Sequence, residues 1–331
     1  MRTLSVLPIL VALLAAGCGA SNSDPDKQEG AGSSAGSAGS AGSDGTGGTG
    51  GMGGDGGSGG EGPTAAETVC RLWNEGHVEN EKVPWIAGDD ICDHGTLSEV
   101  AIEDTLRRIN MFRALSELPP VTENRDQREQ EQACAVLMNA NNALDHEPPP
   151  DWACWSEQGA VGAGSSNLSL GYPTPGDAID GQMADVSVPD SVGHRRWLLG
   201  YVLGKVGIGS AGRATCVSVF DDMGRTDRSW TAYPPAGPAP IAMVTKLRPV
   251  AWSFHPKDGI KGAEVSMQRL PGGEEVAIES WIPKSGIKIP DAIIWQPPPV
   301  QAGESYRISI TRPSKETVTY DVELVDCAPG T

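Results

Sequence analysis

The sequence predicts an α+β fold in two successive parts, and three observations carry that expectation. From Leu97 to about Asp185, apolar residues recur at helical spacing. From about Ala263 onward they alternate with polar residues at the period of a strand. Between these regions, Pro234-Pro235 through Pro240 interrupts both patterns and marks a boundary.

The first residues read as a targeting segment. Arg2 supplies a positive charge, and Leu4–Ala16 is an apolar run shorter than the roughly 20 residues a membrane span needs. Leu14-Ala15-Ala16-Gly17-Cys18 resembles a bacterial lipobox, in which Cys18 is acylated and becomes the first mature residue. An ordinary secretory peptide cut after Gly17 or Ala20 is the alternative. Acyl chains bury CH₂ groups at about 0.8 kcal/mol each, so lipidation would make the membrane a standing partner. Gly19 stands where an Asp would mark inner-membrane retention, which points to the outer membrane or cell surface. Residues 1–17 are therefore expected as signal peptide and 18–62 as a tether. The tether is nearly all Gly, Ser, Ala and Thr beyond residue 30 and cannot bury enough apolar surface to offset its ordering entropy.

The chain has 331 residues and a formal net charge of −18. It carries no Lys/Arg cluster able to displace counterions, so nucleic acid is excluded as a partner. Adsorption to anionic headgroups is disfavoured for the same reason. Of seven cysteines, six remain once Cys18 is given to lipid: Cys70, Cys92, Cys134, Cys154, Cys216 and Cys327. An even set in an exported chain argues for disulfides. Sequence proximity suggests Cys70–Cys92 and Cys134–Cys154, leaving Cys216–Cys327, although six cysteines permit many pairings. No CxxC spacing supports a structural zinc site.

Residues 63–96 are expected to form a disulfide-stapled extension carrying Trp73, Trp85 and Ile86. A first helix follows through Leu106, Ile109, Met111, Phe112 and Leu115, ended by Pro119-Pro120. A second covers about Asp126–Leu144, and a third Gly176–Asp185 after Pro175. Strand signals then occupy Val206–Ile208, Ala214–Phe220 and Ser229–Tyr233. Beyond the proline boundary, Ala263–Met267, Val276–Ile282, Ser305–Thr311 and Val318–Leu324 alternate, separated by turn formers such as Pro271-Gly272-Gly273. Short strands at this spacing suggest a small immunoglobulin-like β-sandwich over 236–331.

Two of the five histidines stand out: His146 in Leu144-Asp145-His146-Glu147, and His194 in Val192-Gly193-His194-Arg195-Arg196. Around them the stretch 97–235 resembles the CAP (SCP-like) domain of cysteine-rich secretory proteins. The motifs appear in the family's order. Arg108-Ile109-Asn110-Met111-Phe112-Arg113-Ala114 with Leu118-Pro119-Pro120-Val121 comes first, followed by Leu144-Asp145-His146 and Ser166-Asn167-Leu168. Ser191-Val192-Gly193-His194-Arg195-Arg196 and Val206-Gly207-Ile208-Gly209 complete the series. The resemblance implies an α-β-α sandwich whose cleft is lined by two histidines and two acidic residues and often holds a divalent metal. Carried over, His146 and His194 are the imidazole pair, and Asp185 is the surviving acid. Ser166 stands where the family has Glu, and Gln182 where it has Trp.

Two imidazoles and one carboxylate could hold zinc with a water in the fourth place. The candidate metal ligands are thus His146, His194 and Asp185, with Ser166 and Arg195 added as ligand-binding candidates. Arg195 could clamp a carboxylate or phosphate, or pair with Asp185 or Asp190 instead. Neither a His-Glu-x-x-His motif nor a Gly-x-Ser-x-Gly elbow is present. The functional expectation is a membrane-anchored module binding an envelope or extracellular ligand; the alternative is a metal-assisted hydrolase of peptides or envelope polymers.

Overall fold

The computed structural model describes residues 62–247, 250–284 and 289–328. The expected signal segment, the lipid-bearing Cys18 and the tether up to residue 61 lie outside the described residues. The architecture is mixed α and β, with several separate sheets. Among the described residues no helix is long and apolar enough to cross a membrane.

Six helices frame the region that carries the two histidines: α1 (Ala65–Gly76), α2 (Glu99–Leu115), α3 (Arg128–Asn141), α4 (Glu157–Ser165), α5 (Pro175–Ala184) and α6 (Gly193–Leu198). Local chemistry sets their limits. Ser98 caps α2 by accepting from the Ala101 amide, and Thr174 caps α5, whose first residue is Pro175. α3 is shorter than its apolar pattern suggests, because Asn142 turns left-handed at φ 46° and ends it. α1 occupies a region expected as a stapled loop and opens with a Thr64–Glu67 capping box. α4 is rich in glycine and poor in helix propensity. Its glycines allow close approach to α3: a Cβ at Gly162 would come within 2.7 Å of the Gln130 carbonyl oxygen.

A three-stranded antiparallel sheet, in the order Ser166–Leu170, Ala214–Ser218, Ile208–Ala211, lies among these helices. Period-two alternation divides its side chains. Leu168, Ala214 and Cys216 join a core with Cys134, Leu137 and Met138 of α3. Val217 and Ile208 join a different core that includes Ile179 and Met183 of α5. The two faces of one strand thus address two different helices, and this decides the site below.

The C-terminal strands form two further sheets. One has the order Glu274–Glu275, Glu264–Leu270, Ser305–Thr311, Val318–Val325, Gly237–Pro240, with only the last pair parallel. The other runs Glu279–Trp281, Ile293–Gln296, Trp252–Pro256, Trp230–Tyr233, all antiparallel. Aromatic residues join them: Trp252 meets Tyr306 edge-on at 5.9 Å between ring centroids, and Phe254 stacks on Tyr320 at 6.3 Å. Trp230–Tyr233, expected on the N-terminal side of the proline boundary, pairs with Trp252–Pro256. Of the expected strand Val276–Ile282, Glu279–Trp281 forms the strand, while the Val276 amide donates to the Met267 carbonyl of the other sheet.

All six expected cysteines are in disulfides, but the pairing by sequence proximity is wrong. The bonds are Cys70–Cys327, Cys92–Cys154 and Cys134–Cys216. Tertiary packing overrides chain distance in each case. Cys134 lies on the face of α3 that covers the strand bearing Cys216. α1 packs beside Gly237–Pro240, the neighbour of Val318–Val325, and this brings Cys70 to Cys327. Cys92 and Cys154 lie in loops that come together outside any strand or helix.

Candidate functional site

A cleft of about 300 Å³ opens where the strand Ser166–Leu170 begins, between α4 and α6. His146, Ser166, Asn167 and His194 line it, with Val188, Trp197, Val219 and Phe220 as its apolar wall. The histidines expected to meet do face one cleft, although 48 residues separate them in sequence.

Each imidazole is tied by the same atom. His146 Nδ1 lies 2.8 Å from the Ala163 carbonyl oxygen, at the end of α4. A carbonyl only accepts, so Nδ1 carries the hydrogen and Nε2 keeps its lone pair. His194 Nδ1 donates to Asp185 Oδ1 at 2.8 Å, which likewise leaves Nε2 unprotonated in the neutral ring. Fixing one ring nitrogen by a carbonyl or carboxylate, and so presenting the other, is the way metal-bound histidines are usually oriented.

Asp185 does not reach the cleft. It is fully buried, and its other oxygen accepts from the Arg195 amide at 3.3 Å. Its position follows from the end of α5. Asp185 adopts the left-handed conformation at φ 56°, ending the helix, and its carboxylate turns onto His194. The expected metal ligand is therefore a positioning residue for the imidazole. The approach of α6 is itself strained. Val192, a β-branched residue, sits at φ 42° immediately before Gly193-His194, and its fully buried side chain packs with Ala251, Ala292 and Ile294.

Arg195 is likewise displaced from its expected role. Its guanidinium is buried on the opposite side of α6 and donates to the carbonyls of Met183, Ala184 and Ala251 and to Ser253 Oγ. It also lies 4.0 Å over the Tyr233 ring. With every arm occupied, it ties α5 and α6 to the strand Trp252–Pro256 and is unavailable as a ligand clamp.

Ser166 lines the cleft as expected, but its hydroxyl has a partner that sequence reasoning missed. Ser166 Oγ donates to Glu131 Oε2 of α3, and Gln130 Nε2 donates to the other carboxylate oxygen at 3.2 Å. The strand pleat explains the contact, since Ser166 and Leu168 face α3. Asn167 faces the other way and donates to Gln182 of α5 and to the His194 carbonyl. Burial pushes the Glu131 carboxyl up to about 7, although the bonds from Ser166 and Gln130 oppose the shift. The available signal was a charged residue at helical spacing with the buried Cys134 and Met138.

Among the described residues no three His, Cys, Asp or Glu side chains converge on one point. The chemistry available to a divalent cation is therefore two neutral imidazole nitrogens, with further places left to solvent or a ligand. No protein-family model matches the chain, and no curated protein matches it.

Proposed function

We propose that this chain is a membrane-anchored, extracytoplasmic binding module of CAP type, followed by an immunoglobulin-like C-terminal part. In this reading its His146–His194 cleft holds a small ligand, of which a divalent cation such as zinc is the simplest. The ordered motifs of the sequence support the CAP assignment, as does a sheet contacted by α3 and α4 from one core and α5 from the other. The lipobox-like Leu14–Cys18 and the Gly/Ser-rich segment support anchoring in a bacterial envelope, with the folded part held off the surface. The observation that carries the binding role is the matched tethering of both Nδ1 atoms in two imidazoles that line one cleft, which leaves Nε2 of each as the ring nitrogen not used in that bond.

A bound cation would act as a Lewis acid toward a carbonyl or phosphoryl oxygen. The protein's own part is to hold the imidazoles oriented, and to offer an apolar wall against which a ligand body can rest. The test is calorimetric titration of zinc into the full chain and its His146→Ala and His194→Ala variants. Saturable binding lost in both variants is expected; a folded wild type that takes up no zinc would overturn the cation reading.

A further inference from the structure

Behind the cleft sits a carboxylate with no counter-charge. Glu131 is fully buried, and among the described residues no Lys, Arg or His forms an ion pair with it. The strands packed on it, Ser166–Leu170, Ile208–Ala211 and Ala214–Ser218, contain no ionisable residue. The cations nearest in sequence, Arg125 and Arg128, are engaged by Glu123 and Glu99. Burying an ionisable carboxyl without a charged partner is costly, and a glutamine could hold both neighbours without a charge, accepting from Gln130 and donating to Ser166 Oγ. A group kept under those terms beside a cleft is a functional candidate.

Its geometry is held from two directions. A Cβ at Gly209 would overlap the Glu131 main chain, and one at Gly207 would stand 2.9 Å from Glu131 Cγ, so the strand presses directly on α3 there. On the other side, the pleat turns the Ser166 hydroxyl onto the Glu131 carboxylate, while Ser166 also lines the cleft. A serine hydroxyl that donates to a positioned base is the arrangement of an activated nucleophile.

We propose that Ser166 is a nucleophile and Glu131 its general base, so that the cleft performs acyl transfer on small esters with an apolar acyl or aryl group. This rests on the cleft as the ligand site but not on cation binding. Ser166 Oγ attacks the ester carbonyl carbon and passes its proton to Glu131. The carbon–oxygen bond to the alcohol breaks, and Glu131 returns the proton to the departing alkoxide. Water then attacks the acyl-serine and gives a proton to Glu131, the bond from the acyl carbon to Ser166 Oγ breaks, and Glu131 returns that proton to Oγ as the carboxylic acid is released. The apolar wall of Trp197, Val219 and Phe220 suits the acyl or aryl group, and the volume of about 300 Å³ suits a small one. A base that gains its proton near neutral pH serves both halves of the cycle.

The test uses the full chain and a small alkyl fluorophosphonate, which reports nucleophilic attack without needing the natural substrate. Attack forms an oxygen–phosphorus bond, releases fluoride and leaves a stable adduct on the serine. Intact mass and peptide mapping should place one adduct on Ser166, absent from Ser166→Ala. In Glu131→Gln the labelling rate should fall by about 100-fold or more. In wild type the rate should rise through about pH 7, as Glu131 ionises, and that rise should disappear in Glu131→Gln. No adduct on the wild type, an adduct elsewhere, or equal rates in wild type and Glu131→Gln would each overturn the proposal. If Glu131→Gln does not fold, the wild-type adduct and its pH profile still decide. Zinc titration of Ser166→Ala separates the two readings, because loss of labelling with retained zinc binding refers to the dyad alone.

Discussion

Replacing Asp180 by Asn tests how the N-terminal helix is locked to the rest of the fold. Asp180 of α5 is 7% exposed and lies beside two cationic groups and an imidazole. Arg108 Nη1 is 2.8 Å from its Oδ2, Lys246 Nζ 2.7 Å and His77 Nε2 3.3 Å. His77 also bonds the Trp73 carbonyl, and Arg108 bonds that of Gly76, so the cluster joins α1, α2 and α5. Burial alone would raise the Asp180 carboxyl, but the close approach of the His77 ring and the charges of Arg108 and Lys246 outweigh it and hold it at about 2. Against an ordinary value of 3.8, that depression corresponds to about 2 kcal/mol of stability. The sign follows from which state binds the proton first. Above about pH 4 both folded and unfolded states are ionised, and the stabilisation is complete. Below 3.8 the unfolded chain takes the proton first, so stability falls until pH reaches about 2, where the contribution is gone. Asp180→Asn lacks the charge at every pH and leaves Arg108 buried without it, a change that costs about 3–5 kcal/mol. Urea unfolding at a series of pH values, with disulfides intact, is the assay. Wild type should exceed the variant by about 3–5 kcal/mol at pH 7, and the gap should narrow by about 2 kcal/mol between pH 5 and pH 2. A gap that stays constant over that interval would refute the assignment of the stabilisation to an ionised Asp180.

Three further outcomes are expected. Digestion of the unreduced protein should yield linked peptides for Cys70–Cys327, Cys92–Cys154 and Cys134–Cys216, and none pairing Cys70 with Cys92. The double variant Cys134→Ala, Cys216→Ala should lose about 4 kcal/mol in urea unfolding, as expected for a cross-link spanning 82 residues. Asp185→Asn should weaken zinc binding by about 10–100-fold although Asp185 does not line the cleft, because it orients His194; unchanged affinity in calorimetry would show that the imidazole needs no such support.

Much of the local structure was legible in residue patterns. Pro119-Pro120 ended the first predicted helix, Pro175 opened another, and the alternation Tyr306, Ile308, Ile310 marked a strand that the structure buries on one face. Where pattern failed, packing had overruled propensity. α4 is glycine-rich and gives no helical signal alone, yet those glycines let it lie close to α3. His146 and His194 both line one cleft, but the places of their neighbours differ from the expected ones. Asp185 and Arg195 adjoin the site in sequence but are buried behind it, Asp185 against the His194 ring and Arg195 against the Met183, Ala184 and Ala251 carbonyls. Glu131, far from both histidines in sequence, comes to Ser166 because the strand pleat and two glycines put it there.

The sequence by itself determined the α+β character, the even set of paired cysteines and the two imidazoles worth examining, because these depend on periodicity, composition and residue type. Only the tertiary structure decided which cysteines bond, which acid orients His194, where the Arg195 guanidinium is spent and which carboxylate meets Ser166. Those contacts, most of them between elements remote in sequence, are set by how helices and sheet faces stack, and residue order carries no direct record of that geometry.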